Sequence, residues 1–207
     1  RGGEQAAQHS QAIHAFFTHV PGLKVVMPST PYDAKGLMIA AIRDNNPVVY
    51  IDDRWLYGIE DHVPEEIYEV PIGKGVVRKE GHQITVVSIS YMLQESLKAA
   101  YALEKDEISV EIIDLRTAKQ LDEEIILNSV EKTGRFVVVD GGWKFCGYAA
   151  EVATFVSERA FGFLKAPVQR ITLPDVPAPA SHTLEKAYYP TSEYIASQIK
   201  DILASKK

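Results

Sequence analysis

Residues 23–51, LKVVMPSTPYDAKGLMIAAIRDNNPVVYI, decide how this chain folds. Leu23 to Met27 is a short apolar run rich in β-branched residues and closed by Pro28, which reads as a strand. Thr30 is a good N-cap, Pro31 suits the first helical position, and Asp33 complements the positive end of the helix dipole. Ala34, Leu37, Met38, Ala41 and Ile42 then recur at helical spacing and predict an amphipathic helix with those residues as its buried stripe. The helix is expected to stop at Asn45-Asn46-Pro47, with Val48 to Ile51 following as a buried strand. Strand, helix and strand in so short a span make, most economically, a right-handed parallel crossover.

Working outward, Gln8 to His19 reads as a helix or a loop and helix, ending at Pro21-Gly22. From Asp52 to Pro71 charges and prolines replace any period, so this stretch reads as a linker or extended connection. A second alternating series follows: strand Ile84 to Ile89, helix Leu93 to Leu103, strand Val110 to Ile113. Next comes a helix bearing Ile125, Ile126 and Val130, with Asp122 as a possible cap and Gly134 as its stop. Phe136 to Val139 is a further strand, and a long helix with Ala149, Ala153, Val156 and Ala160 on one face follows Gly141-Gly142. Strand-like Val168 to Ile171, a proline-rich loop and a last helix carrying Ile195, Ile199, Ile202 and Leu203 close the chain. Strands alternating with helices imply a layered α/β fold with a mostly parallel sheet.

Composition narrows the function classes. The 207 residues carry 22 Lys and Arg against 28 Asp and Glu, a net charge of −6. That balance gives no electrostatic reason to expect nucleic acid, which calls for a basic face. Charged residues interrupt every hydrophobic stretch before it reaches membrane-spanning length, so no membrane is expected. With 46% hydrophobic residues the chain is globular, and its length suits one large domain or a domain plus a fragment. One cysteine, Cys146, excludes an internal disulfide and a cysteine-rich zinc site and fits a reducing compartment. The opening Arg1-Gly2-Gly3-Glu4 has neither an initiator Met nor a targeting segment, the start expected of a fragment or of a chain whose earlier residues are not shown.

Chemistry-bearing residues are few. His9, His14 and His19 are spaced by five, which turns neighbours about 140° apart on a helix, so they are not expected all to line one site or to form a helical zinc pair. His9, flanked by Gln8, Ser10 and Gln11, is the candidate: an imidazole among hydrogen-bonding side chains can donate or accept a proton near neutral pH. His182 reads as surface. Gly141-Gly142 could cradle a phosphate, but a tight strand-to-helix turn is the plainer reading, since no G-x-G-x-x-G or Walker lysine is present. Cys146 at that helix start has no committed base beside it, and Ser10 and Ser88 lack a nucleophile-elbow context. Asp52-Asp53, Glu65-Glu66 and Glu123-Glu124 read mostly as solvated acids. The Asp44-Asn45-Asn46 turn is evenly balanced between a simple helix stop and a hard-oxygen cation site at the freed helix carbonyls.

Several strings then point one way. Ala6-Ala7-Gln8-His9-Ser10-Gln11, Pro21 to Ser29, Asp33-Ala34-Lys35-Gly36-Leu37 and Ala41-Ile42-Arg43-Asp44-Asn45-Asn46-Pro47 closely resemble the β subunits of 2-oxoacid dehydrogenase E1 components, including pyruvate dehydrogenase E1. Ile113-Asp114-Leu115-Arg116-Thr117, Lys132-Thr133-Gly134-Arg135 and Asp175-Val176-Pro177-Ala178-Pro179 resemble that family's transketolase-type C-terminal domain, in the same order. The resemblance implies residues 1–60 as the last part of a pyrimidine-binding domain, 61–70 as linker and 71–207 as a transketolase C-terminal domain. It implies oxidative decarboxylation of pyruvate or a related 2-oxoacid with thiamine diphosphate and magnesium, and acyl transfer to a lipoyl-bearing E2 acyltransferase. The implied assembly is an α2β2 heterotetramer of E1 α subunit and a second β subunit, in the cytoplasm or, in a eukaryote, the mitochondrial matrix or plastid. An acetoin or branched-chain E1, a transketolase-like synthase and a non-catalytic assembly fragment are the alternatives.

Residue by residue, the resemblance makes His9 the active-site histidine near the reacting end of the thiazolium. It suggests potassium at Ala41, Ile42, Asp44 and Asn46, mostly through backbone carbonyls. It assigns no cofactor-binding residue, because the family's activating glutamate precedes the matched strings; the chain alone is therefore expected to be inactive. Ile13-His14, Asp52-Asp53 and Asp140-Gly141-Gly142 depart from the family's usual strings.

Overall fold

The computed structural model describes residues 5–205, so the opening Arg1 to Glu4 lies outside the described residues. Two short helices, α1 (Ala6–His9) and α2 (His14–His19), precede strand β1 (Lys24–Val26), helix α3 (Pro31–Arg43) and strand β2 (Val48–Tyr50). β1 and β2 pair in parallel, Lys24 opposite Val48 and Val26 opposite Tyr50, as a crossover between them requires. Thr30 caps α3 by accepting from the Asp33 amide at 3.2 Å.

The face of α3 that turns inward differs from the expected stripe. Asp33, Gly36, Leu37 and Ala40 are buried, whereas Met38 and Ile42 are 40% and 76% exposed. Both sets have helical periodicity and share only Leu37; packing chooses between them. Leu37 enters a cluster with Val26 and Val70, flanked by Val48, Tyr50, Tyr68 and Ile72, so the stretch that reads as a linker or extended connection packs over α3. Gly36 permits this, because a Cβ there would lie 2.5 Å from Val70 Cγ2 and 3.0 Å from the Val70 amide nitrogen.

The larger sheet contains β3 (Val76–Lys79), β4 (Ile84–Ser88), β5 (Val110–Asp114), β7 (Phe136–Trp143) and β8 (Gln169–Leu173), in spatial order β3-β5-β4-β7-β8. Only β3, which the sequence reading missed, runs antiparallel to its neighbour; the other pairs are parallel. Helices cover both faces. Val87, Ile113 and Val138 meet α5 (Glu123–Thr133) and α6 (Tyr148–Arg159) on one side. Ile84, Val86, Ile112, Val137 and Val139 meet α4 (Tyr91–Leu103) and α8 (Ser192–Ala204) on the other. A further helix, α7 (His182–Tyr188), lies between the proline-rich loop and the last helix.

Strand β6 (Thr117–Lys119) was also missed. It is only three residues long, between Arg116 and Gln120, which adopt φ of 57° and 79°, and these turns steer it out of the large sheet to pair antiparallel with β1. Two other expectations change. Gly141 and Gly142 belong to β7 and are not a strand-to-helix turn, since α6 begins at Tyr148 behind Gly147. Asp122 occupies the N-cap position of α5 but makes no side-chain cap; its carboxylate accepts from the Gly75 amide at 3.0 Å.

Candidate functional site

His9 closes α1, and its side chain is exposed. Its carbonyl accepts a hydrogen bond from Arg54 at 3.2 Å, and the same guanidinium donates to Gln5 at 2.6 Å, so the α1 backbone is held from the Asp52–Tyr57 segment. A cavity of about 280 Å³ opens beside it, lined by His9, Ile51, Asp52, Asp53 and Ser90 among others. Met27 and Ile51, just past the carboxyl ends of β1 and β2, are among its lining residues. Parallel sheets commonly place their reactive groups at this end.

Sequence reasoning did not assign Asp53, Arg54 or Ser90 to this region. Asp53 is not solvated as expected: it is 4% exposed and accepts from the Trp55 amide at 3.1 Å. Asp52 accepts a hydrogen bond from the Tyr57 hydroxyl at 2.5 Å, which holds that phenol above its usual range. Ser90 adopts φ 57°, and its Oγ is buried without a protein partner. Strain at a cavity wall is a functional signal, but it arises from packing and leaves no mark in a Ser-Tyr dipeptide.

The expected cation turn lies elsewhere. Lys24 and Asp44 sit at the amino ends of the same two strands whose carboxyl ends face His9, so the structure does not bring the two sites together. Asp44 is bonded to Lys24, and its other oxygen accepts from the Asn46 amide at 2.8 Å and the Asn46 side chain at 2.9 Å. Those contacts, the Lys24 bond first, draw its pKa down to about 2. The carboxylate is thus already satisfied. The last carbonyls of α3, around Ala41 and Ile42, lack intrahelical partners, and a large monovalent ion would fit those better than the carboxylate. Among the described residues no group of three or more His, Cys, Asp and Glu side chains could hold a metal.

His14 is not a surface residue. It is 3% exposed, with Nε2 at 3.1 and 3.2 Å from the two carboxylate oxygens of Asp140, itself 1% exposed. Two positions that depart from the usual family strings therefore meet in space. Cys146 and His182 are exposed.

A second buried cluster joins the halves of the chain. Asp33 and Asp114, both fully buried, are bridged by Arg78; Arg116 reaches Asp33 at 3.1 Å and Ser29 donates to Asp114 at 2.9 Å. Burial pushes the Asp114 pKa up to about 6 against the opposing pull of Arg78. The cluster ties α3 to β3 and β5.

Comparison with known proteins agrees with this architecture. The transketolase C-terminal domain model matches residues 73–195, and the transketolase pyrimidine-binding domain model matches residues 1–59. The chain is 45% identical over its whole length to the β subunit of the Cupriavidus necator acetoin:2,6-dichlorophenolindophenol oxidoreductase, covering 61% of that protein. It is 44% identical over 95% of its length to a Rickettsia felis pyruvate dehydrogenase E1 β subunit, covering 60%. The chain thus spans about three fifths of the length of the curated relatives it matches. Among solved structures, a split-gene transketolase described as an inactive β4 tetramer superposes with a TM-score of 0.79 at 23% identity, over 97% of this chain and 64% of that one.

Proposed function

Because the chain belongs to the transketolase C-terminal domain family, we propose that it is the β-subunit portion of a thiamine-diphosphate-dependent 2-oxoacid dehydrogenase E1 component, with residues 1–60 and 71–207 as its pyrimidine-side and C-terminal parts. The observation that carries this reading is the exposed imidazole of His9 beside a cavity at the carboxyl ends of β1 and β2. When bound, thiamine diphosphate supplies the electron sink for decarboxylation. The chain's own contribution is to present His9 at the reacting end, where its ring orients the 2-oxoacid carboxylate and holds or releases a proton. Arg54 fixes the backbone that carries the ring. The diphosphate and magnesium fall to the partner α subunit in this reading. Potassium at the end of α3, docking to a lipoyl-bearing E2 component, an α2β2 assembly and a cytoplasmic location belong to the same reading. Among the described residues no helix is long and apolar enough to cross a membrane.

The acetoin relative matches as well as the pyruvate relative, at 45% against 44%, so acetoin cleavage is the second reading. The test is the complete β subunit produced with its α partner and assayed with pyruvate, branched-chain 2-oxoacids and acetoin, using a dye as electron acceptor. Turnover of one of these with thiamine diphosphate, lowered about a hundredfold or more by His9→Ala at unchanged thermal stability, is the expected result. No turnover of any of them, or an undiminished His9→Ala enzyme, refutes the reading.

A further inference from the structure

Beyond His9 the chain runs as an alternating strip: Ser10, Ala12 and His14 are buried, while Gln11 and Ile13 are exposed. These residues form the connection from α1 into the first turn of α2, and the alternation means that one side of it lies against a surface. That surface belongs to the C-terminal half. Ala12 packs among Leu173, Ala178, Tyr188 and Tyr189, and His14 meets Asp140 with both carboxylate oxygens in reach. The Tyr148 ring stands edge-on to the imidazole, centroids 6.0 Å apart at 74°. Gly142 makes room for the pair: a Cβ there would lie 2.7 Å from Asp140 Oδ2 and 3.1 Å from His14 Nε2.

The location gives the pair its meaning. Asp140 lies on β7 just beyond its pairing with β4, and the helices that follow these strands, α4 and α6, go to opposite faces of the sheet. The crevice between two such strand ends is where doubly wound sheets usually take a ligand. Here the strip that follows His9 reaches that end of the sheet. A buried histidine–carboxylate contact is weak evidence for stability, but it is costly to break from one side, so it favours one register of the segment. We propose that Asp140, acting through His14, is a positioning residue for His9, fixing where the strip sits and so where the imidazole points. This rests on the reading that His9 works at the reacting centre.

The test uses the complete enzyme with its α partner and the variants Asp140→Ala, Asp140→Asn, His14→Ala and the His14→Ala, Asp140→Ala double. Misplacing the imidazole without removing it should lower kcat roughly ten- to a hundredfold with little change in KM. Asp140→Asn, which keeps an acceptor for the ring, should recover most of that loss, and the double variant should be no worse than the worse single. Hydrogen exchange should rise in residues 8–13 and stay unchanged in β4. An undiminished kcat in folded Asp140→Ala beside an inactive His9→Ala, fully multiplicative losses in the double, or exchange that rises in β4 as much as in residues 8–13 would each overturn the inference. A fully active His9→Ala would instead sink the reading of His9, and the exchange experiment would still decide whether the pair pins the strip.

Discussion

Replacing Arg78 by Met removes the bridge between two fully buried carboxylates. In the wild type Arg78 reaches Asp114 Oδ2 at 2.9 and 3.2 Å and also bonds Asp33. After the change Asp33 keeps Arg116 and the Thr30 hydroxyl at 2.8 Å, whereas Asp114 keeps only Ser29 and the Arg116 amide at 3.2 Å. Breaking a buried ion pair from one side costs about 3–5 kcal/mol. At roughly 2–4 °C per kcal/mol for a chain of this size, the midpoint should fall by about 6–20 °C. The pH dependence carries the sharper signature. Burial already lifts the Asp114 pKa to about 6, above its unfolded value, so the wild type loses this increment of stability as pH rises from about 4 to 6. Without Arg78, which pulls that pKa down, the loss continues above pH 6. Thermal melts at pH 5 and pH 8 should therefore show a smaller deficit for Arg78→Met in acid. A drop of under about 1 kcal/mol, or a deficit that grows in acid, would refute an ionised bridge as the clasp.

Two further changes probe other joints. Gly36→Ala should cost about 1–3 kcal/mol and loosen the 68–72 segment, because the new methyl meets the Val70 side chain and amide; chemical denaturation with proteolysis of that segment reads both effects, and a neutral variant would mean the segment shifts freely. Asp44, whose pKa Lys24 holds near 2, contributes stability at neutral pH that is lost as pH falls from about 4 towards 2; Asp44→Asn should flatten that part of an acid melt series, and an unaltered acid limb would contradict the Lys24 pairing.

The sequence carried the alternating plan because strands such as Ile84 to Ser88 and helices such as Leu93 to Leu103 announce their period locally. It failed where the deciding contact is distant. Asp33 looked like a helix-start acid, and its burial depends on Arg78 and Arg116, 45 and 83 residues away. The inward face of α3 depends on Val70 in the same way. His9 was legible from its polar neighbours and the family strings. His14 was not, because an isolated histidine carries no sign of its carboxylate 126 residues on. Strands β3 and β6 are short and mix charged with apolar residues, so neither shows a clean alternation.

Strand β6 has a consequence for how the chain comes apart. Its three residues stitch the C-terminal half into the sheet begun by β1, and the Asp33, Arg78, Asp114 and Arg116 cluster rivets the same seam. The gap between residues 59 and 73 in the family matches is therefore bridged by contacts on both sides of it. A protease that nicks the polypeptide between Glu60 and Pro71 severs it without separating it, and the two pieces should melt as one unit.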